Sequence, residues 1–485
     1  MRGKFIRKFL PVLLVAAVLL AAAAPAPLYA AAGYVKVVLN GVKLDFDVPP
    51  VMENNRTLAP LRKTSEAIGA VVNWDEKNQT IAAFKGSTGV MLRLGSNTAY
   101  INQVPLKLDA PPVIRNGRTL VPLRFFSEAF GATVSWVNET RTVVIDTGEK
   151  LSKYIMGYYY SQSYDDFIKN GDKLSSIAAK WYTLDENGDV TGSEPASRGI
   201  AVPEGYRDVI KLAKQQGLKI YMLLFENNSS KLEKVLATQE SRGMLINQIM
   251  TVVEREGYDG VNIDFEYLKS GNRDEFNAFI KELASALRSK EKSLNLSLPA
   301  KTEQKDWWPG YDYETLGKYS DFVVLMAYDK NPGNPEPQSG VDWVEQVVDY
   351  AIARIPAAKV VLGIGYYGYD WWRSGDSGKY SKYAVLPEKN DVTGKITYSA
   401  ILFADELVKK YGLKLSLDEK SGMLYGNYTD ESGVQHQIWM ESDYSVDAKA
   451  KMAVRKGLKG IALWRLGYTS ASFWKTVNDN FTAAK

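Results

Sequence analysis

The chain has 485 residues, 45% of them hydrophobic, with no cysteine and one histidine, His436. That length suits two or three domains with sizeable cores, and the composition excludes a disordered chain. A single histidine excludes a multi-histidine metal site and leaves a Ser-His-Asp triad only if His436 serves, so carboxylates are the candidate catalytic groups and no metal or cofactor is expected.

Residues 1–30 read as a secretory signal. Arg2, Lys4, Arg7 and Lys8 precede the apolar run Leu10–Ala24, and small-residue cleavage sites follow at Leu28-Tyr29-Ala30 or Ala30-Ala31-Ala32. An uncleaved membrane anchor is the alternative, against which stand Pro25, Pro27 and the shortness of the run. The formal charge of +4 comes from 60 Lys+Arg against 56 Asp+Glu, and losing the four basic residues of the leader leaves 56 against 56. The basic balance therefore belongs to the leader. No nucleic-acid partner is expected, and no membrane partner after cleavage. A secreted chain of this size without disulfides suits a bacterial exported protein, and we expect a monomer.

Residues 33–148 hold an internal duplication. Pro49-Pro50-Val51 recurs as Pro111-Pro112-Val113, Arg56-Thr57-Leu58-Ala59-Pro60-Leu61-Arg62 as Arg118-Thr119-Leu120-Val121-Pro122-Leu123-Arg124, and Trp74 as Trp136, always 62 residues apart. Each unit predicts a strand, a turn, a second strand entering a short helix that stops at Gly69 or Gly131, and further strands. The repeat resembles the copper amine oxidase N-terminal-like domain, an appendage of secreted bacterial proteins. The name imports no copper, because the region has no histidine and no soft-ligand cluster. Attachment to a cell-wall polymer and a plain spacer both remain open, as do glycan contact and a structural ion pair for Arg62 and Arg124.

From residue 151 onward apolar runs alternate with helical stretches. Eight strands are predicted, at 153–159, 174–181, 219–225, 260–266, 294–299, 322–329, 359–366 and 459–465. The clearest helix spans 273–289, with Phe276, Phe279, Ile280, Leu283 and Leu287 in one stripe and a capping box from Asn272 and Glu275. The expected fold is α/β: a (β/α)8 barrel over 151–485 with an α+β insertion at about 368–443 after strand 7, beside the small duplicated α+β domain. A doubly wound open sheet competes, but no Gly-x-Gly-x-x-Gly follows a strand.

Within Gly257–Tyr267 the residues alternate, so Asn262, Asp264 and Glu266 share one face of a strand and Val261, Ile263 and Phe265 the other. This fits either the carboxyl end of a barrel strand or an antiparallel strand with a solvated polar face. Asp259-Gly260-Val261-Asn262-Ile263-Asp264-Phe265-Glu266 resembles the fourth-strand signature of glycoside hydrolase family 18. Met326-Ala327-Tyr328-Asp329, Gly363-Ile364-Gly365-Tyr366-Tyr367-Gly368 and Gly460-Ile461-Ala462-Leu463-Trp464 resemble its sixth, seventh and eighth strands in order.

The resemblance implies substrate-assisted, retaining hydrolysis of β-1,4 bonds after N-acetylglucosamine. It casts Glu266 as the acid and Asp264 as the holder of the substrate's acetamido N–H. Tyr328 becomes the donor to the acetamido oxygen, Trp464 the floor under the sugar, and Met326 and Asp329 parts of the same subsite. Asn262 departs from the aspartate usual in chitinases. It can hydrogen-bond Asp264 but cannot take its proton, which shifts the expected pH profile and points to the spore-cortex and cell-wall branch of the family. The expected partner is therefore an N-acetylglucosamine-containing polysaccharide, in the cell wall or spore envelope of a bacterium. Tyr158, Tyr159, Trp307, Trp308, Trp371 and Trp372 offer flat faces for sugars, each with packing as its plain alternative. A chitinase and a catalytically silent lectin-like barrel are the rival readings.

Overall fold

The computed structural model describes residues 35–193, 200–304, 307–373, 379–389 and 401–485; the leader expected at 1–30 lies outside them. Contacts divide the chain into two compact units. Among the described residues, the first comprises 35–37, Phe46–Phe130 and Ser135–Val143; the second comprises Val38–Asp45, Gly131–Val134 and those from Val144 onward.

In the first unit the duplication becomes a two-fold arrangement. The repeated strands Arg56–Pro60 and Arg118–Pro122 pair antiparallel with each other, Ala59 opposite Val121, flanked by Val51–Glu53 and Val113–Arg115. Ion pairs are exchanged across the repeat: Arg56 meets Asp109 at 2.7 Å, and its equivalent Arg118 meets Asp47 at 2.6 Å. The helix Leu61–Ile68 ends at Gly69, whose φ of +75° places it in the left-handed region that costs glycine least. Arg124 lies 4.0 Å from Glu128 one helical turn on, at the outer limit of an ion pair.

The second unit is a closed parallel barrel of eight strands: β1 (Leu151–Tyr159), β2 (Ser176–Leu184), β3 (Lys219–Glu226), β4 (Gly260–Phe265), β5 (Ser293–Pro299), β6 (Phe322–Met326), β7 (Val360–Gly365) and β8 (Gly460–Trp464). Each pairs with the next and β8 pairs back onto β1, Gly157 opposite Leu463. Both faces of such a sheet are covered, which is why these strands read as nearly continuous apolar runs. One set of side chains, including Met156, Tyr158, Ala178, Leu223, Phe225 and Val361, fills the barrel; the other packs outward against helices.

The helix Arg273–Arg288 buries the predicted stripe of Phe276, Phe279, Ile280, Leu283 and Leu287. Its predicted capping box does not form. Asn272 closes a preceding 3-10 turn and makes no side-chain cap bond. No helix among the described residues is long and apolar enough to cross a membrane.

Between β7 and the helix Asp443–Arg455 lies a six-stranded sheet carrying the helix Ala404–Tyr411, an α+β insertion as expected. Across it runs a continuous ring stack of Tyr411, Tyr428, His436, Trp372 and Tyr383, with neighbouring centroids 4.6–5.4 Å apart. His436 Nδ1 lies 2.9 Å from the buried Asp370, which also accepts from the Tyr428 hydroxyl at 2.8 Å. The single histidine is thus a packing element of the insertion.

Candidate active site

The alternating stretch is β4, and all six of its residues are buried. Val261, Ile263 and Phe265 face the outer core, so the polar set faces the barrel interior rather than bulk water. That removes the solvated-face reading. At the exit of β4 the Glu266 amide donates to Glu226 O at 2.8 Å, while Tyr311 Oη donates to Phe265 O at 2.7 Å and accepts from the Leu268 amide. The turn that carries Glu266 is therefore held from both sides.

Asp264 is 2% exposed. Its Oδ2 lies 3.2 Å from Lys180 Nζ, and its Oδ1 has no hydrogen-bond partner among the described residues. Burial raises the Asp264 pKa while the Lys180 ammonium pulls it back. Glu266 is pushed up to about 7, by burial first and by the Asp264 charge second, with Lys180 again opposing. A carboxyl titrating there is about half protonated at neutral pH, so the acid form a proton donor needs is well populated.

Lys180 was not among the residues the sequence singled out. It is the last inward side chain of β2, where the ladder to β3 is irregular between Lys180 and Tyr182. Trp181 and Tyr182 turn into the outer core, while Lys180 reaches inward to Asp264. Its Nζ lies 3.5 Å from the Phe225 ring centroid and 4.7 Å from that of Trp464. The available signal was one charge inside the apolar run Ser176-Ile177-Ala178-Ala179-Lys180-Trp181.

Asn262 is fully buried, and its partners differ from those expected. Its Nδ2 donates to Asn295 Oδ1 at 2.5 Å and its Oδ1 accepts from Ser297 Oγ at 2.9 Å, with Tyr158 Oη on Ser297 at 2.7 Å. Asp264 is paired with Lys180 instead, because β5 presents its own amide and hydroxyl to the layer where Asn262 lies. Tyr158, 1% exposed, is a member of this layer beneath Trp464, their rings edge to face at 5.5 Å, and offers no face to solvent.

Tyr328 sits beyond the end of β6, its phenol held far above its usual pKa by burial and then by Tyr158, Asp264, Asp329 and Glu266. Gly365 makes room for it: a Cβ there would lie 2.6 Å from Tyr367 and 3.2 Å from Tyr328. Asp329 takes a left-handed φ of +56° and accepts from the Tyr367 and Tyr369 hydroxyls at 2.8 and 2.7 Å. Met326, half-buried, closes β6 opposite Pro299. Trp464, half-buried at the end of β8, is stacked by Tyr160 at 6.3 Å. Beyond Tyr160 opens a pocket of about 540 Å³ lined by Tyr164, Trp181 and Asp208 among others.

The tryptophan pair expected to hold sugar is split by the strand it occupies, Gly368–Arg373, since neighbours in a strand face opposite ways. Trp371 is 2% exposed beneath Tyr369 and Lys382, and Trp372 belongs to the ring stack of the insertion. Tyr159 packs in the outer core. Exposed rings are found elsewhere, at Trp307 and at Tyr267, which leans on Trp308 at 5.5 Å.

A closed α/β barrel with a buried carboxyl pair at the end of its fourth strand is an arrangement that suits a glycosidase. The chain belongs to the family Glycosyl hydrolases family 18, whose sequence model matches residues 154–468; that of the copper amine oxidase N-terminal domain matches 38–145. It is 27% identical over 328 residues to the uncharacterized glycosylase YvbX of Bacillus subtilis (strain 168), covering 65% of this chain and 87% of that protein. It is 28% identical over 297 residues to the cortical fragment-lytic enzyme of the same organism, covering 59% of this chain and 66% of that enzyme, just under two thirds of its length. Among solved structures, a chitinase from Chromobacterium violaceum ATCC 12472 superposes with a TM-score of 0.58 at 27% identity, over 68% of this chain and 99% of that one.

Proposed function

We propose that this glycosidase is secreted and cleaves the β-1,4 bond following N-acetylglucosamine in bacterial peptidoglycan, of spore cortex or vegetative wall, with retention at the anomeric carbon. The observation that carries the proposal is the buried pair on β4, Glu266 pushed up to about 7 beside Asp264 with one unpartnered oxygen. Glu266 gives its proton to the departing glycosidic oxygen. The substrate's acetamido oxygen attacks the anomeric carbon as that bond breaks, forming an oxazolinium-type intermediate. Water then attacks the same carbon and returns a proton to Glu266.

Asp264 Oδ1 accepts from the acetamido N–H and stabilises the positive charge that develops. Tyr328 donates to the acetamido oxygen, Trp464 floors the sugar, and Asp329 and Met326 border it. The wall substrate is favoured by similarity to an enzyme named for cortical fragments and by Asn262 in place of an aspartate. The duplicated domain is assigned to attachment on the wall polymer.

Glu266→Gln should keep the fold and glycan binding while lowering kcat by at least about a thousandfold. Mass spectrometry of digested intact peptidoglycan reads this directly, and a variant with wild-type turnover would sink the assignment. The second reading, a chitinase, is supported by the chitinase likeness at 27% identity. A wide preference for chitin oligomers over purified wall would establish it.

A further inference from the structure

We infer that Lys180 is a positioning residue of the reaction: it anchors Asp264 by one oxygen, places a positive charge against it, and leaves the other oxygen for the substrate N–H. The inference rests on the function proposed above and adds a residue to it. Lys180 is 7% exposed and comes from β2, which only β3 separates from β4. A buried ammonium is costly unless compensated. Its compensation is the Asp264 Oδ2 at 3.2 Å together with the faces of Phe225 and Trp464.

Asp264 has no other hydrogen-bond partner among the described residues, and its Oδ1 is enclosed with nothing to accept from. An unsatisfied buried acceptor is destabilising, so a site that keeps one is shaped for a donor that arrives with the ligand. Asn262, which would otherwise orient Asp264, is committed to Asn295 and Ser297. A fixed cation therefore takes the place of a neighbour that could exchange a proton with Asp264.

The groups facing this pair are few. Tyr158 comes from β1, Tyr328 and Asp329 from the end of β6, and Glu266 and Tyr311 flank the exit of β4. At the end of β3 Glu226 is occupied by the Asn227 and Asn228 amides, and after β8 Arg465 donates to Ser161 O. Among the described residues, Lys180 is the cation that acts on both carboxyls.

Activity requires Asp264 ionised, which sets the acid limb of the pH profile, and Glu266 protonated, which sets the alkaline limb. Lys180→Gln keeps a donor but removes the charge. Both carboxyls then hold protons more tightly, and both limbs of kcat/KM on a chromogenic chitobioside move up by about one unit or more. The titration midpoint read from the 13Cγ resonance of Asp264 by NMR rises by a similar amount without any need for turnover. Lys180→Arg keeps the charge and leaves limbs and titration in place, at reduced kcat.

Lost activity in Lys180→Gln with unmoved limbs and an unmoved 13Cγ titration would make the lysine a packing residue and overturn the inference. If Lys180→Gln does not fold, a moved profile in Lys180→Arg overturns it equally. Wild-type turnover by Glu266→Gln would instead remove the acid assignment and leave the Asp264 titration standing.

Discussion

At the scale of single residues, the site stores instability in its carboxyls. Glu266 ordinarily titrates near 4.5 and is raised to about 7 in the folded chain. Between those values the unfolded chain has lost a proton that the folded one keeps. Stability from this group is full below the unfolded pKa and is lost as pH rises through the folded one. Glu266→Gln cannot ionise, so its Tm should match wild type near pH 4 and exceed it above pH 7. The gain should be on the order of 1–3 kcal/mol, discounted for coupling to Asp264. Equal Tm differences at pH 5 and pH 9 would contradict the environment described for Glu266. The residues that carry this chemistry were legible in the chain because the strand period puts Asp264 and Glu266 on one face. Lys180 was not, because a lysine in a strand says nothing of what stands across a barrel.

At the scale of elements, two short segments place the site. The glycines of β7 leave the volume that Tyr328 and Tyr367 occupy, so Gly365→Ala forces both rings aside. We expect a folded protein with kcat/KM reduced about a hundredfold, since displacing a positioned group by about an ångström has that effect. Near-native kinetics for Gly365→Ala would show that Tyr328 is not tightly placed. In the insertion, His436→Ala opens the centre of the five-ring stack and leaves buried Asp370 with Tyr428 alone. A loss of about 2–3 kcal/mol is expected in denaturant unfolding of the full chain. The same element corrected the sequence reading. Adjacent Trp371 and Trp372 looked like one platform, yet a strand sends neighbours to opposite faces, and insertion packing took both.

At the scale of the whole molecule, charge is the property that reaches furthest. Residues 31–485 are balanced at 56 basic and 56 acidic residues. Adhesion to an anionic wall then has no net attraction to rely on. Retention of residues 31–485 on isolated wall should change less than about twofold between about 0.05 and 0.5 M salt. A steep fall in a sedimentation assay would reveal a basic binding face instead. The sequence by itself determined the duplication, the barrel, its insertion after the seventh strand and the family. Those follow from a repeat offset, from apolar periodicity and from motifs in chain order, all properties of local stretches. Only the tertiary structure decided that Asn262 bonds to β5 rather than to Asp264, that Tyr158 lies under Trp464, and that Lys180 neutralises Asp264. Barrel closure brings together side chains from strands scores of residues apart, and no one-dimensional pattern encodes which of them meet.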